Sequence, residues 1–507
     1  MTELENPNDM LRRCGDKPAV VMTGSGRMVT YAELDDRSTR LARVFDQAGL
    51  EPGDHVALML GNRPEFFDVL WAALRSGLYL TPINWHLGPA EAGYIIRDCD
   101  AKAFVTSADL GEVAAGLGGF GANLTTRLML DGTVAGYDDF DDALASVSGE
   151  PRSSERAGTF MLYSSGTTGY PKGIVQKLPS ASFGDGQDTI TLLMTALYGA
   201  DETSRYLSPA PLYHSAPIGF CSAVHRFGGT VLVMERFDAT NALAAIERYS
   251  ASHAQFVPTH FIRMLRLPEP ERSRYDLSSL RTVLHAAAPC PIPVKHQMIE
   301  WIGPIIEEYY AGSEAFGVTL ISSKDWLEHP GSVGRPALGA VHILDENGGE
   351  VPAGETGQVW FEATTRFEYN KDPDKTKRAQ DDRGWATYGD IGRVDEAGYL
   401  YLTDRAANMI ISGGVNIYPQ EAEMVLSAHP DVHDVAVLGV PDDEMGERVK
   451  AFIALRAGVG ATDATKTAMI AYCRAHLAHY KCPREVDFVD ELPRLETGKL
   501  LKRKLVG

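Results

Sequence analysis

The sequence predicts an α/β protein, with a large multi-lobed N-terminal part and a small C-terminal α+β domain, and three observations carry this. The chain has 507 residues, more than one hydrophobic core supports. Short apolar runs alternate with helical patterns as far as residue 150 and again from 230 to 257, the grammar of parallel sheet with covering helices. After Asp390 the texture changes, and a compact αβ pattern of about a hundred residues closes the chain.

Each element has a local reason. Val56-Ala-Leu-Met-Leu60 is a continuous apolar run stopped by Gly61-Asn-Arg-Pro64, so it reads as a buried strand. A helical pattern follows over Phe66 to Ser76 and ends on Gly77, and Tyr79-Leu-Thr-Pro-Ile83 reads as the next strand. Thr230-Val-Leu-Val-Met234, a helix from Asn241 to Arg248 and Ala254-Gln-Phe-Val257 repeat that order. Gly398-Tyr-Leu-Tyr-Leu-Thr403 is strand-like and runs into polar Asp404-Arg-Ala-Ala-Asn408. The reading is therefore an N-terminal domain over 1–403, a hinge at 404–408 and a C-terminal domain over 409–507. The last holds a helix from Pro419 to Leu426 and strands at Val435–Leu438 and Ala451–Leu455. The chain shows no short-period internal repeat.

Composition narrows the partners. A formal net charge of −20, from 48 Lys+Arg against 68 Asp+Glu, argues against nucleic acid, whose phosphates want the opposite balance. No run of about twenty apolar residues is present, so no transmembrane segment is expected. The N-terminus has no apolar stretch of the secretory kind, and the six cysteines form no CxxC pair. Reduced, buried thiols and a cytoplasmic location are the expectation.

One segment carries chemistry on its face. Tyr163-Ser-Ser-Gly-Thr-Thr-Gly-Tyr-Pro-Lys172 follows the apolar Phe160-Met-Leu162 and offers two glycines, four Ser/Thr hydroxyls and a lysine. Glycines let backbone amides approach an anion, hydroxyls donate to phosphate oxygens and the lysine adds charge. That is a phosphate cradle. It is not the GxxxxGK[ST] loop, because Pro171 precedes Lys172.

The segment resembles the signature of the adenylate-forming superfamily, which holds acyl-CoA synthetases, peptide-synthetase adenylation domains and luciferases. Further motifs follow in the family's order from Thr30 to Leu505: Ser208-Pro-Ala-Pro-Leu-Tyr-His-Ser215, Val283-Leu-His-Ala-Ala-Ala-Pro-Cys290 and Glu308-Tyr-Tyr-Ala-Gly-Ser-Glu314. Beyond these come Gly331-Ser-Val-Gly-Arg-Pro336, Gly384-Trp-Ala-Thr-Tyr-Gly-Asp390, Asp404 to Pro419 and Leu492-Pro-Arg-Leu-Glu-Thr-Gly-Lys499.

The resemblance implies a large adenylate-forming domain followed by a small mobile one, with a role for each matched residue. Ser164, Ser165, Gly166, Thr167, Thr168, Gly169 and Lys172 cradle the ATP phosphates. Ala287 and Ala288 leave room for adenine, Tyr310 stacks on it and Ser313 contacts the α-phosphate. Glu314, with Thr167, holds Mg²⁺. Asp390 accepts from both ribose hydroxyls, Arg405 reaches ribose or phosphates and Asn416 faces the nucleotide. His214 positions the substrate carboxylate, beside an acyl pocket of Tyr213, His214, Ala311 and Gly312. Gly413 and Gly414 line the pantetheine path of coenzyme A, and Lys499 is the catalytic lysine. Ala311 stands where glycine is usual, Ser313 where threonine is, and Ala407 where the hinge pivot is usually Asp or Lys.

The activity expected is an AMP-forming acyl-CoA synthetase using ATP, Mg²⁺ and coenzyme A. The absence of Asp between Leu207 and Cys221 argues against an amino acid substrate, since relatives of that kind hold the amine with one. A medium- or long-chain fatty acid is the first expectation for an apolar site. An aryl or alicyclic acid, or delivery to a carrier protein, are the alternatives, and a homodimer is left open. Lys502, Arg503 and Lys504 read as a solvated basic end.

Overall fold

A computed structural model describes residues 11–505 except 12, 118–122, 153, 165–170, 186–187, 406–407, 413–414, 443–444 and 495–499. The chain forms two compact units. The first comprises Met1–Phe256, Leu267–Leu284 and Thr365–Arg378; the second comprises Val257–Arg266, His285–Thr364 and Ala379–Gly507.

The first unit holds the predicted parallel sheet. Asp138–Asp139, Thr126–Leu130, Ala103–Ser107, His55–Leu58, Tyr79–Pro82 and Thr159–Phe160 lie in that order, every pair parallel. Parallel strands are covered on both faces, which is why His55–Leu58 and Tyr79–Pro82 are apolar runs rather than alternations. The helix Glu65–Arg75 joins them and is buried along its whole length. The helix Tyr31–Gln47 starts at a capping box of Thr30 and Glu33, and Leu34, Leu41, Ala42 and Phe45 give it a buried face at helical spacing. A second set of strands runs His253–Phe256, Arg205–Ser208, Thr230–Val233 and Pro18–Met22, with Met28–Thr30 antiparallel at the edge. A small antiparallel sheet of Phe367–Tyr369, Lys172–Gln176 and Leu162–Ser164 completes the unit.

The second unit is mostly antiparallel. Ile306–Tyr310, Val318–Ile321 and Arg335–Leu338 pair in sequence order. Val341–Leu344, Gly357–Glu362, Asp390–Val394 and Leu400–Arg405 form another sheet, with Trp385–Ala386 against Gly357–Glu362. The C-terminal αβ pattern is a sheet of Val415–Ile417, Ile410–Ser412, Gly446–Leu455 and Val432–Asp442, with Glu485–Phe488 parallel to Gly446–Leu455. The helices Pro419–Ser427 and Asp463–His476 supply Leu426, Met469 and Cys473 to its core, which Val437 and Ile453 share.

All six cysteines are free thiols; Cys99, Cys221, Cys473 and Cys482 are buried, whereas Cys14 and Cys290 are partly exposed. Among the described residues no helix is long and apolar enough to cross a membrane.

Candidate active site

The phosphate-cradle segment sits on paired strands. Leu162–Ser164 and Lys172–Gln176 run antiparallel, with Lys172 opposite Ser164 and Gly173 opposite Tyr163. Ser165, Gly166, Thr167, Thr168 and Gly169 lie outside the described residues, and Ser164 is placed by its backbone. Gly173 sits in a crowded place, where a Cβ would lie 2.3 Å from Met161 Cε and 3.0 Å from the Tyr163 ring. Lys172 opens the returning strand, and its Nζ lies 2.9 Å from Asp372 Oδ2. That hydrogen bond raises the lysine's pKa and lowers the carboxyl's.

Behind it, Tyr163 Oη donates to Asp98 Oδ2 at 2.6 Å, and burial together with this acceptor pushes the phenol's pKa far up. Asn370 Nδ2 donates to the Asp98 carbonyl at 2.6 Å, while its backbone amide donates to the Gly173 carbonyl at 2.8 Å. Asp98, Asn370 and Asp372 thus hold both strands beside the cradle. The sequence reading missed them, because one Asp ending a helix and an Asn-Lys-Asp turn carry no signal distinct from ordinary surface.

Tyr213 and His214 enter the helix Ser215–Arg226, with their rings 4.2 Å apart and His214 at its N-cap. Leu212, Tyr213, Ile218 and Phe220 are buried. The approach is fixed by Asn62, another residue without an assigned role in the sequence reading. Asn62 Oδ1 accepts from the Leu212 amide at 2.8 Å, and its Nδ2 donates to the Ala210 and Met234 carbonyls at 3.1 and 2.8 Å. Its signal was the Gly61-Asn62 step after a strand, which read only as a turn.

The remaining placed residues belong to the second unit. Tyr310 ends the strand Ile306–Tyr310 and donates through its hydroxyl to Asp390 Oδ2 at 2.5 Å. Asp390, 6% exposed, begins a strand, and Arg405 is its cross-strand partner; only the backbone of Arg405 is placed. Glu314 is 9% exposed. Tyr388 is the hub of this cluster; in the sequence it is only one residue of the Gly384–Asp390 motif, with no role of its own. Its ring stacks on Phe316 at 4.0 Å and meets Tyr310 edge-on at 5.7 Å. Its hydroxyl donates to the Gly317 carbonyl at 2.8 Å and accepts from the Gly317 amide at 3.2 Å. A Cβ on Gly312 would lie 2.3 Å from that ring and 2.7 Å from Glu314 Oε2. Ala311 and Ser313, on either side, are partly exposed.

Ala287 follows the strand Thr282–His285 with φ +75°, a conformation that a small side chain tolerates best; Ala287 is exposed and Ala288 partly so. Ala407, Gly413, Gly414 and Lys499 lie outside the described residues, and Asn416 is placed by its backbone, opposite Ile411. Near the expected hinge, Asp404 accepts from Asn408 Nδ2 and from the Gln420 amide, both at 3.0 Å, the latter at a helix N-terminus that favours an anion. The expected solvated basic end is not wholly so. Lys502 Nζ lies 2.8 Å from Glu423 and donates to the Val437 carbonyl at 3.1 Å, because the chain end folds back on the C-terminal sheet.

The structure therefore brings Tyr310, Gly312, Glu314 and Asp390 around Tyr388 in the second unit, while Lys172, Tyr213 and His214 belong to the first. No cluster of three or more His, Cys, Asp or Glu able to hold a metal occurs among the described residues. One buried carboxylate still suits Mg²⁺, a hard cation that keeps waters and takes oxygens from nucleotide phosphates.

The chain is similar to known proteins along nearly its whole length. The AMP-binding enzyme family matches residues 8–367, and the AMP-binding enzyme C-terminal domain matches residues 421–499. A feruloyl-CoA synthase from an Amycolatopsis species is 32% identical over 496 residues, covering 97% of this chain and 96% of its own. A long-chain-fatty-acid–CoA ligase from Mycobacterium tuberculosis is 31% identical over 488 residues, covering 94% and 92% respectively. The solved structure of an amide bond synthetase from Marinactinospora thermotolerans superposes with a TM-score of 0.82 at 28% identity, over 99% of this chain and 98% of that one. The chain belongs to the AMP-binding enzyme family, the adenylate-forming superfamily, with a large N-terminal AMP-binding domain and a small C-terminal domain. In class it is an AMP-forming acid–thiol ligase.

Proposed function

We propose that this chain joins a medium- or long-chain fatty acid to coenzyme A through an acyl-adenylate. The observation that carries the adenylating half is the 2.5 Å hydrogen bond from Tyr310 to Asp390, with buried Glu314 packed at Gly312 under the same Tyr388 ring. A stacking phenol, a ribose-binding carboxylate and a carboxylate for a cation are what a nucleoside triphosphate requires together.

The substrate carboxylate, positioned by His214, attacks the α-phosphorus of ATP and pyrophosphate leaves. Residues 164–169, Lys172, Ser313 and Lys499 spread positive charge and donors over the phosphate oxygens, so rate comes from positioning and electrostatics. Tyr310, Ala287 and Ala288 hold adenine, and Asp390, Arg405 and Asn416 hold the rest of the nucleoside. Glu314 and Thr167 would hold Mg²⁺, which would supply positive charge against the phosphates. In the second half the coenzyme A thiol, guided past Gly413 and Gly414, attacks the mixed anhydride and AMP leaves. The hinge at 404–408, with Ala407 as pivot, turns the domain 409–507 away from the domain 1–403 between the halves, withdrawing Lys499.

The buried apolar residues Leu212, Tyr213, Ile218 and Phe220 support an apolar acid, and the mycobacterial ligase supports the fatty class. The feruloyl-CoA synthase relative favours a second reading, an aryl acid. Pyrophosphate release across acetate, fatty acids of graded length, benzoates, cinnamates and steroid acids, with free coenzyme A as acceptor, separates them. Preference rising with chain length supports the first; selective turnover of cinnamates replaces it with the second.

A further inference from the structure

A buried trio, an ion pair with a histidine beside it, lies next to the nucleoside residues and has no part in the chemistry above. Lys295, on the helix Ile292–Ile302, is fully buried, and its Nζ donates to Glu308 Oε2 at 2.5 Å. His285, the last residue of the strand Thr282–His285 and also fully buried, has its Nε2 3.3 Å from the same oxygen. The Lys295 ammonium also sits 4.8 Å from the centre of the Trp326 ring. The start of the Glu308 strand is pinned by Ser323, whose Oγ accepts from the Ile306 amide at 3.0 Å and donates to its carbonyl at 2.6 Å.

Stability does not explain the trio. Removing two charges from water is costly, and a buried pair is often replaced by apolar residues of similar volume without loss. What the trio does have is location. His285 leads directly into Ala286–Ala288, where Ala287 is held at φ +75°, a conformation that persists only when its surroundings impose it. Glu308 lies two residues before Tyr310 on one strand, so both side chains fall on the same face, and Tyr310 in turn holds Asp390. One carboxylate therefore ties together the supports of the adenine turn, the stacking tyrosine and the ribose carboxylate.

We propose that Glu308, braced by Lys295 and His285, is a positioning residue that sets the spacing of the nucleoside-binding walls. This rests on the nucleotide reading of Tyr310 and Asp390 given above. The test is a double variant, Lys295→Met with Glu308→Leu, which fills the space without leaving a buried charge unpaired. The expected result is a melting temperature close to that of the parent and an ATP KM raised about tenfold, with the acid KM unchanged. Preference for ATP over GTP should fall as well. Glu308→Asp keeps the charge on a shorter arm; it should fold and raise the ATP KM by less than the double variant. A merely structural role would lower the melting temperature or the active fraction and leave the ATP KM alone. Parent-like ATP KM in both variants, with a raised KM in Tyr310→Ala, overturns the brace. Parent-like ATP KM in Tyr310→Ala overturns the nucleotide reading itself.

Discussion

Gly312→Ala adds one methyl group to a crowded point of the candidate site. The added carbon would sit 2.3 Å from Tyr388 Cδ1 and Cε1 and 2.7 Å from Glu314 Oε2, so something must move. The Tyr388 ring has little freedom, being stacked on Phe316 at 4.0 Å with its hydroxyl bonded to both backbone groups of Gly317. Overpacking of this kind costs about 1–3 kcal/mol. In a unit of roughly two hundred residues that lowers the melting temperature by roughly 2–12 °C. Displacing the Glu314 carboxylate should cost more in rate than in stability, about a hundredfold in acid-dependent pyrophosphate release. Melting curves and a pyrophosphate assay on the same preparation give both numbers. A second change, Tyr388→Leu, makes room for the methyl, so the double variant should lose less stability than the two single effects added. Parent-like melting and turnover in Gly312→Ala would refute the steric reasoning.

Other outcomes follow from the same geometry. Lys499→Ala should abolish adenylate formation from acid and ATP yet leave thioester formation from synthetic acyl-AMP largely intact; equal loss of both halves would rule out a two-state site. Lys172→Met breaks only a solvent-screened ion pair with Asp372, of a kind that contributes little to stability. Its melting curve should stay near the parent's while pyrophosphate release falls about a hundredfold, and a parent-like rate would remove Lys172 from the phosphate site. Buried His225 takes a hydrogen bond from Trp71 Nε1 at 3.0 Å, and its Nε2 lies 3.1 Å from the Ala19 carbonyl; burial lowers its pKa from 6.5 to about 4. A lowered value means that the unfolded chain binds the proton first. The residue's contribution is full above pH 6.5 and is lost as pH falls through 4, about 3 kcal/mol in all. Denaturant midpoints of His225→Gln should fall less over that range than the parent's, and identical slopes would contradict this.

Much of the fold was legible because its strands and helices are marked by composition. Val56–Leu60 and Tyr79–Ile83 read as parallel strands because both their faces are covered, and the structure places His55–Leu58 and Tyr79–Pro82 there, side by side. The helix expected over Phe66–Ser76 is found at Glu65–Arg75, ended where Gly77 takes φ +71°. What stayed hidden depends on partners distant in sequence. Asn62 reaches the Leu212 amide, Asp98 reaches Tyr163 and Asn370, and Lys502 reaches Glu423. Each is a single polar residue in an unremarkable stretch, and only the fold supplies its partner. Tyr388 belongs to the Gly384–Asp390 motif, but its crowding against Gly312 depends on interatomic distances that no spacing rule contains.

The central claim is that the acid is first joined to AMP, before coenzyme A takes part. Acid-dependent exchange of labelled pyrophosphate into ATP, measured without coenzyme A, tests it most directly. Exchange that requires an apolar acid and is lost in Lys499→Ala is the predicted result. No exchange with any acid of the panel, alongside coenzyme A-dependent turnover of the same acids, would contradict it.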